Sequence, residues 1–225
     1  MIEIIPAILE KSFDGVVNKI KRIEKEAPDI NWAHLDIMDG KFVPNTTWSE
    51  PRDLSSFKTS LNLEVHLMIK NPRDFLADWL VLNNVKRILI HKETVLSNRE
   101  INRIAREVKA HNKEIGLVFN PDTPLESAID GLIELDGIML MGVEPGFSGQ
   151  IFKEEVLVKA ERLRQLDKQI SIALDGGVSP ETVPSILAAG TTRLCAASYL
   201  WKSDNFKEAI NCLKAIAGAI ERKLD

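Results

Sequence analysis

Cysteine is scarce in this chain: Cys195 and Cys212 are the only two, and neither belongs to a CxxC pair. That argues against a disulfide framework or a thiolate zinc knuckle and leaves both as small buried side chains. Long apolar runs are also missing. No window approaches the roughly 18 residues a membrane-spanning helix needs. The opening MIEIIPAILEKSFDG lacks a basic segment followed by a long apolar one, so the expectation is a cytoplasmic protein with no membrane partner. Charge of one sign is nowhere concentrated: 29 Lys and Arg and 33 Asp and Glu are mixed along the chain for a net charge of −4. No basic footprint for nucleic acid follows from that pattern. With no Pro/Ser linker, low-complexity tract or composition break, residues 1–225 read as one domain.

What the sequence does contain is eight short apolar or β-branched runs, IEIIPAIL, WAHLDIM, LNLEVHLMI, RILIH, EIGLVFN, GIMLMGV, ISIALD and TRLCAAS. Between most of them lie stretches with the helical period, such as Phe13-Val16-Val17-Ile20-Ile23 and Ile101-Ile104-Ala105-Val108. A last helix over about residues 205–222 would close the series. Strands alternating with helices imply an α/β fold with a parallel sheet, and eight repeats in this length predict a single (β/α)8 TIM barrel. An open doubly wound sheet is the structural competitor.

In such a barrel chemistry sits at the C-terminal ends of the strands. The second strand ends on His34, Asp36 and Met38, which share one face; the third ends on His66 and Met68; the fourth on His91, the sixth on Met141 and the seventh on Asp175-Gly176-Gly177. Two His and two Asp can thus converge. Neutral imidazoles and carboxylates together form a mixed N/O site suited to one divalent ion, Zn, Fe, Mn or Co, and ligand type does not choose among them. Taken singly, each His could instead be hydrogen-bonded in the core and each Asp could cap a turn. His91 stands between two readings, a partner to a ligand or a packed core histidine. Gly176-Gly177, and Ala197-Ser198 before a short helical segment, stand where many barrels hold a phosphate on backbone N–H groups. Residues 144–150, EPGFSGQ, are glycine-rich around one aromatic, as a lid over substrate would be; a plain surface loop is the alternative.

The blocks HLDIMDGKFVPN, EVHLMI, NPDTPL, LMGVEPGFSGQIF and LDGGV occur in this order between Pro6 and Ser198, and together they closely resemble the ribulose-phosphate 3-epimerase family. The resemblance implies a (β/α)8 barrel that interconverts D-ribulose 5-phosphate and D-xylulose 5-phosphate. It implies that His34, Asp36, His66 and Asp175 bind one divalent metal and that Asp36 and Asp175 are the acid/base pair. His66, Gly146, Phe147, Ser148, Gly149, Gly176, Gly177, Ala197 and Ser198 would hold the substrate, chiefly its phosphate. Met38, Met68 and Met141 would shield the intermediate, although a methionine on a barrel strand is by itself more often core packing. Inverting a carbon beside a carbonyl removes a proton on one face and returns one on the other, so two carboxylates must flank the substrate. The intermediate is a cis-enediolate whose charge a metal would stabilise.

The sequence departs from the family pattern in places. Ala7 stands where the family's PSIL has a serine that contacts substrate, and losing one neutral hydrogen bond costs on the order of 0.5–1.5 kcal/mol. Ala197 stands for a glycine and needs a negative φ, Ser148 stands for a lid glycine and Gly142 for a serine. Ala7 and the lid prompt a second expectation, a 3-epimerase of a hexulose 6-phosphate such as D-allulose 6-phosphate. A non-catalytic sugar-phosphate binding barrel is a third. A barrel decarboxylase or aldol-type lyase is disfavoured by the absence of a DxKxxD run and of lysine at those strand ends. Exposed apolar residues on the exterior could support a homo-oligomer.

Overall fold

A computed structural model of the chain describes residues 2–95, 97–127 and 134–224. Eight strands, β1 (Glu3–Ile8), β2 (Trp32–Met38), β3 (Asn62–Met68), β4 (Val85–His91), β5 (Glu114–Phe119), β6 (Gly137–Met141), β7 (Ser171–Asp175) and β8 (Arg193–Ala196), close into a barrel in sequence order. Every neighbouring pair is parallel, including β1 with β8. The helices are α1 (Phe13–Glu26), α2 (Arg73–Leu80), α3 (Asn98–Ala110), α4 (Val156–Leu166), α5 (Val183–Ala188), α6 (Ser198–Trp201) and α7 (Phe206–Leu224). Between β2 and β3 the described chain forms a 3-10 turn, Pro51–Ser55, in place of an α-helix; Pro51 opens it.

The helix starts carry their own signals. Ser12 accepts from the Gly15 N–H and Ser97 from the Glu100 N–H, capping α1 and α3. The apolar stripe of α1 buries Val16, Ile20 and Ile23, and that of α3 buries Ile101, Ile104, Ala105 and Val108. Asn205 accepts from the Glu208 N–H, which sets α7 beginning at Phe206 after the separate turn α6.

Alternation along each strand sorts side chains into two buried populations. On β2 and β3, Ala33, Leu35, Ile37, Leu63, Val65 and Leu67 join the large core between sheet and helices. A second cluster, Ile5, Ala7, Leu89, Val118, Met139, Met141, Ala173 and Cys195, fills the barrel itself. The strands are therefore buried on both faces, as parallel strands wrapped by helices must be. The inward face of β2 is left to His34, Asp36 and Met38, and that of β3 to Glu64, His66 and Met68. Parallel register sets them side by side, His34 with Glu64, Asp36 with His66 and Met38 with Met68. Among the described residues no helix is long and apolar enough to cross a membrane.

Candidate active site

The upper end of the barrel gathers the four predicted ligands. One donor atom from each of His34, Asp36, His66 and Asp175 lies within 4.8 Å of every other, and all four residues are buried. His34 Nε2 is 3.1 Å from Asp36 Oδ1 and 3.1 Å from His66 Nδ1, while His66 Nδ1 is 3.0 Å from the same Asp36 oxygen. Asp175 Oδ2 stands 3.7 Å from His66 Nδ1 and 4.0 Å from His34 Nε2. The end of β2 is held by Thr47, whose hydroxyl donates to the Asp36 carbonyl at 2.6 Å and accepts from the Met38 N–H at 2.9 Å.

Each histidine is turned toward this point by a partner behind it. His34 Nδ1 is 2.6 Å from Glu64 Oε1, so Nδ1 carries the proton and Nε2 its lone pair. Glu64 is also paired with Arg87 and accepts from the Cys195 thiol at 3.3 Å. His66 Nε2 is 2.8 Å from His91 Nε2, the two rings lying edge to edge with planes 15° apart and centroids 4.9 Å apart, and His91 Nδ1 is 3.2 Å from Glu93 Oε2. Three electron-rich atoms therefore face one another at about 3 Å, an arrangement that is repulsive unless a cation or a proton lies between them. Among the described residues no Lys or Arg lines the cleft above. The donor set, two imidazole nitrogens and two carboxylates, fits a divalent ion of the Zn, Fe, Mn or Co type.

Acidities agree with that account. Burial opposes a proton on His34, yet the charge and hydrogen bond of the Asp36 carboxylate carry its pKa above the ordinary imidazole value, so without a metal this site takes up a proton. Burial pushes Asp36 up, and the charge and hydrogen bond of a protonated His34 outweigh it, holding the carboxyl well below its usual range. Burial and then the Asp36 carboxylate push Asp175 up to about 6. Burial drives the Cys195 thiol far up, which makes it an inert packed side chain.

Above the four ligands opens a cleft with about 460 Å³ of empty space, partly open to solvent. Asp36 and Asp175 reach its wall, as do Met38, Met68 and Met141, each at most 3% exposed. His34 and His66 lie beneath, fully buried and off the wall. Gly146, Phe147, Ser148, Gly149, Gly176, Gly177, Ala197 and Ser198 line the same cleft, so the predicted substrate-holding loops do meet there. Gly176 and Gly177 have φ of 97° and 73°, a turn that side chains strain. Loop 144–150 is folded over the mouth: Asn45 donates to the Gly146 carbonyl at 2.9 Å, and Gln150 donates to the carbonyls of Glu144 and Phe147. Phe147 is half exposed at its tip.

The departures from the family pattern have local reasons. Ala197 has φ of −112°, so its backbone does not take the left-handed conformation that only glycine adopts easily. At Gly142 a Cβ would lie 2.3 Å from the Gly176 carbonyl and 2.8 Å from the Phe152 ring, so a serine does not fit here unless both the Gly176 backbone and that ring move. Ala7 is fully buried inside the barrel, and the cleft wall on that strand's exit is Leu9. Asp39 shapes the loop after β2, its carboxylate accepting from the N–H groups of Lys41, Phe42 and Lys70.

Sequence reading passed over Glu64, Arg87 and Glu93. Glu64 and Arg87 were signalled by charge at inward positions of buried strands, and Glu93 by standing two residues after His91.

Comparison with known proteins agrees with the site. The sequence model described as "Ribulose-phosphate 3 epimerase family" matches residues 3–201. The ribulose-phosphate 3-epimerase of Bacillus subtilis (strain 168) is 34% identical over 218 residues, covering 94% of this chain and 97% of that protein. The chloroplastic ribulose-5-phosphate-3-epimerase of Arabidopsis thaliana is 34% identical over 217 residues, covering 93% and 75%. Among solved structures, a 3-hexulose-6-phosphate synthase superposes with a TM-score of 0.67 over 95% of this chain and 99% of that one, at 13% identity, which speaks for the fold alone. A match over nearly all of the barrel, with both carboxylates and both histidines gathered at the strand ends, makes this chain a member of the ribulose-phosphate 3-epimerase family, whose named relatives are isomerases.

Proposed function

We propose that this chain is a divalent-metal-dependent epimerase acting at C3 of D-ribulose 5-phosphate and D-xylulose 5-phosphate, with Asp36 and Asp175 as its two proton carriers. The observation that carries the reading is the convergence of two carboxylates and two imidazoles, with donor atoms within 4.8 Å, under a cleft lined by sulfur and glycine. His34, Asp36, His66 and Asp175 would hold the ion, which supplies positive charge opposite the substrate oxygens as negative charge develops there.

The chain's own residues account for the rest. One aspartate takes the C3 proton on one face and the other returns a proton on the opposite face; the roles exchange in the reverse direction. Their environments push the two acidities apart, Asp36 down and Asp175 up to about 6, so before metal binding one carboxyl is poised as a base and its neighbour as an acid. Met38, Met68 and Met141 form an apolar wall that excludes water without offering a competing proton. The left-handed turn at Gly176-Gly177 and the small residues Ala197 and Ser198 let a phosphate approach backbone, and loop 144–150 would close the cleft over the sugar. A hexulose 6-phosphate gains no support of its own, because Ala7 lies inside the packed barrel, off the cleft wall.

The test is solvent exchange. Metal-free protein reloaded separately with Zn²⁺, Mn²⁺, Fe²⁺ and Co²⁺ is expected to wash deuterium into C3 of ribulose 5-phosphate with at least one ion. Absence of exchange with all four would remove this reading.

A further inference from the structure

The block NPDTPL and the residue pair His91 and Glu93 have no part in the scheme above, yet they are joined to it by an unbroken series of contacts. Glu93 Oε1 accepts from the Asn120 N–H at 2.9 Å and from the Thr123 hydroxyl. The loop that carries these donors is itself clamped from α4: Lys159 Nζ donates to the carbonyls of Asn120 at 3.0 Å, of Pro121, and of Thr123 at 2.6 Å. The other Glu93 oxygen faces His91 Nδ1 at 3.2 Å, His91 Nε2 faces His66 Nε2 at 2.8 Å, and His66 Nδ1 looks into the ligand cluster. Phe42 lies against His91 with centroids 4.8 Å apart, and His66 and His91 are fully buried.

A carboxylate is an acceptor only, and a neutral imidazole carries one N–H. Facing Glu93, His91 must place its proton on Nδ1, which leaves a lone pair on Nε2. That lone pair can be satisfied only by a proton on His66 Nε2, which leaves the His66 lone pair on Nδ1. The opposite arrangement would set two acceptors against each other at 3.2 Å between His91 and Glu93 and would point an N–H from His66 at the metal position. We propose that Glu93 and His91 are positioning residues which, anchored by the NPDT loop, hold His66 in the tautomer whose Nδ1 lone pair faces His34, Asp36 and Asp175. They touch neither substrate nor ion. The inference rests on the metal reading for its consequence, metal affinity, but not for its observable, the tautomer.

Two variants test it. In Glu93→Gln the new amide can donate to His91 Nδ1, which permits the reversed relay; His91→Phe keeps an aromatic ring at that place and removes the acceptor. The tautomer of His66 is read by ¹⁵N chemical shifts in the metal-free protein, and Co²⁺ affinity by competition with a chelator. Wild type is expected to show His66 protonated at Nε2. Both variants are expected to lose that pattern and to bind Co²⁺ about 10–100-fold more weakly, with the melting temperature of the metal-free protein within a few degrees of wild type. A wild-type His66 protonated at Nδ1 would overturn the proposal, as would both variants keeping the wild-type tautomer and affinity. Failure of wild type to bind Co²⁺ at all would instead strike the metal reading, and the shifts would still decide the relay.

Discussion

At the lower end of the barrel, where the strands begin, Glu64, Arg87, Glu114, Arg193 and Glu3 form a chain of alternating sign. Arg87 pairs with Glu64 and, at 2.6 Å, with Glu114, Arg193 pairs with Glu3 at 3.0 Å, and the Arg87 guanidinium lies 4.1 Å from the Trp32 ring centroid. At the upper end Asp36 and Asp175 face two imidazoles, and among the described residues no Lys or Arg lines the cleft. In the lower set each buried charge faces an opposite one and the outer carboxylates Glu114 and Glu3 also reach water, so the set acts as a plug. The upper set has negative charge and lone pairs in excess, which only something added from outside can satisfy. His34 joins the two, with Nδ1 on Glu64 below and Nε2 on Asp36 above. Charge balance, more than residue type, separates a structural buried cluster from a functional one in this barrel.

Removing a carboxylate from each end should break the comparison in opposite ways. Asp36→Asn and Asp175→Asn are each expected to lower epimerisation by about 10²–10⁴-fold, the usual worth of a positioned acid or base, while leaving the melting temperature near wild type or above it. Substantial turnover in either variant, measured by coupled assay of xylulose 5-phosphate, would contradict the two-carboxylate scheme. Glu64→Gln is expected to strike stability first, with a smaller loss of activity through the orientation of His34. It leaves the 2% exposed Arg87 short of a counter-charge, a change that costs about 3–5 kcal/mol of stability and on the order of 10 °C in melting temperature.

How much of this was legible in the sequence follows from the same division. The upper site could be read because chain direction and side-chain alternation mark every strand end, and because His34, Asp36, His66 and Asp175 stand inside recognisable local blocks. The lower plug could not. Glu3 and Arg193 lie 190 positions apart and meet only because β1 closes on β8, and Glu114 reaches Arg87 only through the register of β4 with β5. Gly142 was visible as a departure, but its reason, Phe152 packed over Gly142 and Gly177, needs the backbone in three dimensions.

Acidity separates the ends again. Burial and Asp36 raise Asp175 from its ordinary 3.8 to about 6, so its contribution to metal-free stability is full below pH 3.8 and is lost as pH rises through 6. His34, raised as well, acts in the same direction. Burial pushes Glu64 up, but His34 and Arg87 bring it to about 2, so its contribution is full above pH 4.5 and is lost only as pH falls toward 2. Metal-free protein should therefore lose on the order of 3 kcal/mol between pH 4 and pH 7 in urea titrations, from the upper end alone. Asp175→Asn should remove most of that slope, and saturating Zn²⁺ should remove it in wild type. A slope unchanged by both would place its origin elsewhere.

The smallest expected effect concerns a cation just outside the cleft. Lys202 Nζ comes within 3.1 Å of where a Cβ on Gly149 would stand, and the Ser198 Cβ within 3.8 Å of the same point. Gly149, Gly177 and Ser198 belong both to the active cleft and to a shallower outer one that Lys202 and Tyr199 line. A phosphate held at Gly177 and Ser198 would thus lie within reach of this ammonium, which is exposed. Exposure keeps the gain small, since ion pairs in contact with water are worth about 0.2–1 kcal/mol. Lys202→Ala should accordingly raise KM about 1.5–5-fold and leave kcat unchanged, and the difference should shrink as salt screens the pair. An unchanged KM at low ionic strength would show that the glycines and backbone hold the phosphate without this ammonium.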